Sequence, residues 1–269
     1  MTDWQVVCGD CREVLREMDS GSVQLVVTSP PYAQGLEYEQ GLDWHGLREL
    51  MAGVAEVSLD VVKPGGFCFV NFGETTKYPQ TMAELYNGVF REAGWVMHSR
   101  RIWHKSFAQC RLTGAMITST IPAAEWEYLW TFRKPPTTAE THRDKSLSLR
   151  GVWTTDEQIG INRGEHPAAF PPELAAKAIR VWSDPGDLVC DPFCGSGSTG
   201  IAAIREGRSF VGIELSEEYC ALSRRRIGSA QAPLFADAES QQDQQRGLPA
   251  AQRGTDPAQL VLSDAKGGE

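Results

Sequence analysis

The segment 188–200, Leu-Val-Cys-Asp-Pro-Phe-Cys-Gly-Ser-Gly-Ser-Thr-Gly, admits few conformations and constrains the fold more than any other stretch of the chain. An apolar run leads into closely spaced glycines and then into helix-compatible residues, which reads as a buried strand, a tight turn and a helix start. Gly195, Gly197 and Gly200 have the Gly-x-Gly-x-x-Gly spacing of a dinucleotide-binding turn. Glu214 closes the next predicted strand about 20 residues on, where a carboxylate can grip ribose hydroxyls. That pattern alone fits either a nicotinamide dinucleotide or S-adenosylmethionine. Asp191 separates them, because a carboxylate at the strand end repels a pyrophosphate and attracts the ammonium of a methionine moiety. The charge favours S-adenosylmethionine, with Phe193, Ser196 and Thr199 belonging to the same turn.

Further apolar runs at 5–8, 24–28, 67–72 and 210–214 read as buried strands, and helical patterns at 12–18, 45–62, 81–93, 172–182, 199–206 and 217–226 separate most of them. Alternation of this kind predicts an α/β fold with a mostly parallel sheet and helices on both faces. Segments 95–103 and 126–132, rich in aromatic and β-branched residues with no helix between them, are expected to pair antiparallel at one edge. At 269 residues and 41% hydrophobic content the chain suits one catalytic domain. No apolar run approaches the roughly 18 residues of a membrane span and no leader-like start is visible, so a cytoplasmic location is expected. Seven cysteines, mostly in apolar stretches, predict reduced thiols without disulfides. Cys8 with Cys11 and Cys190 with Cys194 lack nearby histidines, so no metal site is expected.

A second constellation lies far upstream. The strand at 24–28 runs into Ser29-Pro30-Pro31-Tyr32. Two prolines remove two backbone donors and fix φ, which leaves rigid carbonyl acceptors just past the strand end. Ser29 Oγ and the Pro30 carbonyl suit an amino group, and Tyr32 offers a face on which a base can stack. On composition alone the same residues also fit a turn that merely ends a strand.

The chain here resembles the β group of amino-methylating DNA methyltransferases, whose target loop is Asp, Asn or Ser followed by Pro-Pro-Tyr or a close variant. In that family the target loop precedes the cofactor glycine loop, as 29–32 precedes 191–200. Asp10 and Cys11, in Gly9-Asp10-Cys11, resemble the segment whose acid contacts the cofactor adenine. His166 and Pro167, opening His-Pro-Ala-Ala-Phe-Pro, resemble a loop that helps enclose the methionine end. Segment 125–134 resembles the strand preceding the family's recognition insertion. The resemblance covers most of 5–228. It implies a Rossmann-like S-adenosylmethionine-dependent methyltransferase fold with a seven-stranded sheet and an antiparallel edge hairpin. The catalytic domain is then 1–228, with 134–165 a short target-recognition insertion, and 229–269 is expected to be a disordered tail.

The resemblance further implies direct attack of a flipped base's amino nitrogen on the methyl group, with double-stranded DNA as substrate. Carbon-5 methylation of cytosine needs a cysteine nucleophile, typically after proline, and the sequence has no Pro-Cys pair. Ser-Pro-Pro-Tyr is associated mainly with cytosine N4 and Asp-Pro-Pro-Tyr mainly with adenine N6, so cytosine N4 is favoured and adenine N6 is the alternative. A net charge of -9 suits DNA poorly, yet basic residues cluster locally. Arg100, Arg101, Lys105, Arg111, Arg143, Lys145 and Arg150 are the expected DNA contacts, flanking candidate recognition segments 107–120 and 134–163. In the tail, Gln231-Ala232-Pro233-Leu234-Phe235 resembles a replication sliding-clamp peptide anchored by Gln231, Leu234 and Phe235, while an apolar latch on the core is the plainer reading. Three rivals stay open: a nicotinamide-dependent oxidoreductase, a catalytically silent DNA-binding module, and methylation of protein or RNA amides. Whether a cognate restriction enzyme accompanies the chain is not legible.

Overall fold

Period-two alternation in the central strands decides which side chains face which layer of helices. In the computed structural model, residues 2–31, 41–74, 78, 80–105, 125–137, 144–155 and 170–231 are described. They fall within the unit Met1–Gln231, and the expected tail lies outside the described residues. The strands are β1 (Trp4–Cys8), β2 (Val23–Thr28), β3 (Val62–Phe72), β4 (Val96–His104), β5 (Trp126–Arg133), β6 (Val152–Trp153), β7 (Leu188–Asp191) and β8 (Ser209–Glu214). The helices are α1 (Cys11–Glu17), α2 (Trp44–Val61), α3 (Met82–Glu92), α4 (Lys145–Ser148), α5 (Pro172–Trp182), α6 (Ser198–Arg205) and α7 (Glu217–Gln231). Every strand and helix expected from the sequence is present, with ends within a few residues except at the N-terminus of β3 and the C-terminus of α7.

One sheet has the order β1-β8-β7-β2-β3-β5-β4-β6. Neighbours pair parallel except across β5, which runs antiparallel to both β3 and β4. Two expectations are corrected here. The sheet has eight strands rather than seven, because the two-residue β6 pairs with β4 through Ile102↔Val152 and Trp103↔Trp153. The antiparallel hairpin is therefore not the outermost edge. Part of the expected surface insertion 134–165 is likewise core structure, since Trp153 is buried and stacks on Phe69 at 6.0 Å. A lone buried tryptophan in a polar stretch has no periodicity to betray it.

Phe67 and Phe69 join Trp103, Trp153, Leu174, Ile179 and Trp182 beneath α5 and α6, whereas Cys68, Val70 and Phe72 join Met51, Tyr86, Phe90 and Phe132 beneath α2 and α3. Helix starts follow local chemistry: Asp43 caps α2 by accepting from Gly46 N, Thr81 and Glu84 form a capping box on α3, and Pro172 opens α5. Cys8 on β1 and Cys220 on α7 are joined by a disulfide, Cα–Cα 6.1 Å, against the expectation of reduced thiols. The reason is positional: Cys8 pairs in register with Glu214, and α7 begins three residues later. Among the described residues no helix is long and apolar enough to cross a membrane.

Close approach fixes two glycines. A Cβ on Gly200 of α6 would lie 2.4 Å from Ile227 Cδ1 and 2.7 Å from a Phe210 ring carbon, and one on Gly212 of β8 would lie 2.5 Å from Cys194 Sγ. Gly200→Ala is expected to lower stability by about 1–3 kcal/mol in urea unfolding, through overpacking. Pairing it with Ile227→Val should recover part of the loss. An unaltered midpoint in the single variant would show that α6 and α7 are not locked together at this point.

Candidate active site

The chain changes direction within the sheet between β7 and β2. From β7 it proceeds through α6 to β8 on one side, and from β2 through α2 to β3 on the other. Such a reversal opens a crevice at the carboxyl ends of the two strands, the usual ligand position in open α/β sheets. Leu25↔Val189 and Val26↔Cys190 pair directly, so Asp191 and Ser29 emerge at the same rim on adjacent strands. The two constellations picked out in the sequence, some 160 residues apart, are thus brought together.

On the β7 side, the turn is held by its own acid. Asp191 accepts from Phe193 N at 3.0 Å and from Thr199 Oγ at 2.6 Å. It is almost fully buried. Burial pushes its carboxyl up to about 6, against the lowering effect of hydrogen bonds from Thr199, Phe193 and Thr28, and nearby Glu214 adds to the rise. Gly195 and Gly197 have φ of 51° and 85°, left-handed values that only glycine takes cheaply, and Gly197 caps α6. Ser196 is buried and Phe193 half-buried. Glu214 at the end of β8 accepts from Gly195 N at 2.8 Å and Ser216 N at 2.9 Å, tying the turn to the neighbouring strand.

Asp10 follows β1 and caps α1, accepting from Arg12 N at 2.8 Å and pairing with the Arg12 guanidinium at 2.5 Å. The Arg12 hydrogen bond holds its carboxyl below the usual carboxylate range. Cys11 beside it is buried, which pushes the thiol up to about 12 and leaves it a packing residue. On the β2 side Pro30 is buried, with Ser29 and Pro31 half-buried at the rim. Tyr32, His166 and Pro167 lie outside the described residues.

The basic residues divide. Arg101 is buried, donates to Ser148 O at 2.7 Å, Arg150 O at 3.1 Å and Ser99 Oγ, and lies over the rings of Trp153 and Trp182. Lys105 is buried and paired with Glu127 at 2.7 Å. Both were expected to face DNA; their charges are engaged inside the fold instead, because alternate β4 residues point into the core. Arg100, Lys145 and Arg150 are exposed, with Arg100 lying 5.2 Å from the Trp130 ring centroid. Arg111 and Arg143, and most of segments 107–120 and 134–163, lie outside the described residues. Gln231 ends α7 and bonds Trp4 Nε1 at 2.6 Å and Thr2 O at 3.2 Å, so the expected clamp anchor holds the N-terminal strand; Leu234 and Phe235 lie outside the described residues.

Sequence reasoning passes over Asn71 and Glu127, which the sheet brings to the same rim. Asn71 is a single polar residue inside an apolar strand, one position before its end, with no motif around it to mark it.

Three carboxylates, Asp10, Glu214 and Asp191, follow or end three neighbouring strands about a glycine turn. That donor set fits S-adenosylmethionine, which offers an ammonium, a sulfonium, ribose hydroxyls and an adenine amino group, and it opposes a pyrophosphate. Fold and site together define an S-adenosylmethionine-dependent methyltransferase. The family model described as DNA methylase, covering N6 and N4 methyltransferases, matches residues 23–225, and the chain belongs to this family. The Type II methyltransferase M.XycI of Xanthomonas campestris pv. cyanopsidis is 30% identical over 265 residues, which cover 81% of this chain and 86% of that protein. M.BglI of Bacillus subtilis is 27% identical over 81% of this chain and 84% of its own. Among solved structures, a protein described as a DNA modification methylase from Thermus thermophilus, complexed with S-adenosyl-L-methionine, has a TM-score of 0.64 at 27% identity, covering 86% of this chain and 95% of that chain. The PvuII cytosine-N4-specific DNA methyltransferase shares the fold, with a TM-score of 0.67 at 24% identity over 86% of this chain and 92% of its own.

Two outcomes are expected. Asp191 titrates near 6 against an ordinary 3.8, so its ionised form costs native stability as pH rises through about 6, and a bound cation offsets that cost. Affinity for S-adenosylmethionine by calorimetry should therefore strengthen as pH rises through about 6, and Asp191→Asn should flatten the profile and weaken binding at least roughly tenfold. A pH-independent wild type would refute the assignment. Separately, Arg100→Ala or Arg150→Ala should reduce the salt dependence of DNA binding by roughly one unit of log-log slope each. Arg101→Met should leave that slope intact while lowering Tm.

Proposed function

We propose that the chain methylates the exocyclic N4 amino group of cytosine at a specific sequence in double-stranded DNA. The observation that supports this most is the position of Ser29-Pro30-Pro31, which leaves β2 on the strand next to the Asp191 turn, across the point where the sheet reverses. S-adenosylmethionine, when bound, supplies an electrophilic methyl group. Asp191, Gly195, Gly197 and Phe193 shape its methionine side, with Glu214 reaching ribose and Asp10 the adenine. Ser29 Oγ and the Pro30 carbonyl accept from the two N–H groups of a swung-out base, which draws the nitrogen lone pair out of the ring and aims it at the methyl. Pro30 and Pro31 lack N–H groups, so the loop presents acceptors without competing donors. Tyr32, His166 and Pro167 complete the enclosure in this reading.

A serine at the head of the loop, neutral rather than anionic, favours cytosine N4 over adenine N6, following the association of Ser-Pro-Pro-Tyr with that product. Exposed Arg100, Lys145 and Arg150 would meet phosphates, together with Arg111 and Arg143. The curated relatives are Type II methyltransferases, which supports a place beside a restriction enzyme of the same specificity in the cytoplasm.

Mass analysis of nucleosides from DNA methylated in vitro is expected to show N4-methylcytosine. N6-methyladenine as the sole product would overturn the base assignment and keep the reaction class. Ser29→Ala should lower kcat by about 10–100-fold at unchanged S-adenosylmethionine affinity, the usual size for one preorganised hydrogen-bonding group.

A further inference from the structure

Among the described residues, Cys11, Cys68, Cys190 and Cys194 are free thiols buried in the core. The remaining pair differs from them. Cys8 is exposed at the end of β1, Cys220 is buried in the first turn of α7, and their Cα atoms lie 6.1 Å apart, within the span a disulfide bridges. Neither sulfur takes part in the methyl transfer proposed above, so the bond between them has no role in that chemistry.

The surroundings of the two sulfurs suit exchange as well as bonding. Arg224 Nη2 lies 3.6 Å from Cys8 Sγ and donates to Val6 O at 2.7 Å, so its guanidinium is held beside the exposed sulfur. A cation there favours the thiolate, the attacking species in thiol–disulfide exchange. Cys220 Sγ lies 3.4 Å from Glu214 O, an acceptor for the S–H of the reduced state. A small reagent can therefore reach Cys8 from solvent, while Cys220 meets it from within.

The bond also closes a ring of contacts around Glu214. Cys8 pairs in register with Glu214, and Gly9 N donates to Glu214 O at 2.9 Å. The Glu214 carboxylate accepts from Ser216 N at 2.9 Å, and Ser216 O accepts from Cys220 N at 2.8 Å. The disulfide joins the two ends of that path. Gly9 leads directly into Asp10, so one covalent bond restrains the backbone that carries both carboxylates. Opening it breaks the ring between β1 and α7.

We propose that Cys8 and Cys220 form a reversible dithiol–disulfide site that takes a low-molecular-weight disulfide of the glutathione class, and that closing it tightens the grip on S-adenosylmethionine. The Cys8 thiolate attacks one sulfur of the reagent, whose S–S bond breaks, and the thiolate released takes up the proton that Cys8 gave to solvent. Cys220 then loses its proton and attacks Cys8 Sγ in the mixed disulfide, which releases the second small thiol. Two electrons pass from the protein pair to the reagent, and two protein thiols are exchanged for two small-molecule thiols. The link to the cofactor rests on the reading of Asp10 and Glu214 as its adenine and ribose contacts. A restraint that holds those segments in their binding arrangement leaves less to be ordered when the ligand arrives.

The test uses the full chain incubated with reduced or oxidised glutathione, on wild type, C8S, C220S and E214Q. Peptide mapping by mass, Tm and S-adenosylmethionine affinity by calorimetry are the readouts. Oxidised wild type should yield a Cys8–Cys220 cross-linked peptide with no glutathione on either residue, and a dithiol reductant should reverse it. C220S should stop at a mixed disulfide with glutathione on Cys8. Closure should tighten S-adenosylmethionine binding about threefold or more in wild type and leave C8S unchanged. It should also raise the Tm of wild type alone, because the link joins residues 212 apart in sequence. A glutathione adduct that persists on wild-type Cys8, or no cross-linked peptide, overturns the exchange site. Equal affinity of the oxidised and reduced wild type overturns the link to the cofactor. E214Q tells that failure from failure of the underlying reading: if it binds S-adenosylmethionine as tightly as wild type, the ribose role of Glu214 falls and the link with it, whereas the exchange site is decided by the peptide masses. If C220S fails to fold, the two states of the wild type decide both points.

Discussion

The site depends on one buried carboxylate. Asp191 ends a strand inside the sheet, and there a charge is tolerable only because Phe193 N and Thr199 Oγ bond it. Those two bonds span the glycine turn, so the buried acid at the end of β7 also closes the turn that follows it. Glu214 repeats the device one strand over by accepting from Gly195 N. The turn is thus strapped from both sides by carboxylates.

The second constraint is topological. Adjacent parallel strands leave the sheet at the same rim, and the reversal between β7 and β2 keeps the connecting helices from filling the crevice above them. The Asp191 turn and the Ser29 loop are therefore neighbours by register rather than by sequence, although some 160 residues separate them. Close packing at Gly200 then sets how near α6 lies to α7 and to β8, and Gly212 lets the Cys194 turn sit against β8.

Much of this was legible in the chain. Strands with continuous apolar runs and helices with clear periodicity were readable because burial on both faces leaves an unmistakable composition, as in 67–72 and 188–191. The glycine turn and the Ser-Pro-Pro loop were readable because glycine and proline restrict the backbone itself. What escaped depended on three-dimensional neighbours. Trp153 and β6 sit in a polar stretch and are buried only because β4 offers an open edge. Arg101 and Lys105 look like any surface cations until the β4 alternation turns them inward, where rings and a carboxylate receive them. Cys8 and Cys220 are 212 residues apart and meet only through the β1–β8 register.

The reversed direction of β5 has a consequence for the segment that precedes it. Because β5 alone runs against the sheet, β4 leaves and β5 enters at the ligand rim, and Lys105 N with Glu125 O pins the two ends of the intervening segment together. A segment whose ends are already clamped can grow or shrink at little entropic expense, since closure depends only logarithmically on length. Insertions there leave every strand pairing intact. The scaffold therefore holds the two ends of that segment together beside the crevice whatever its length.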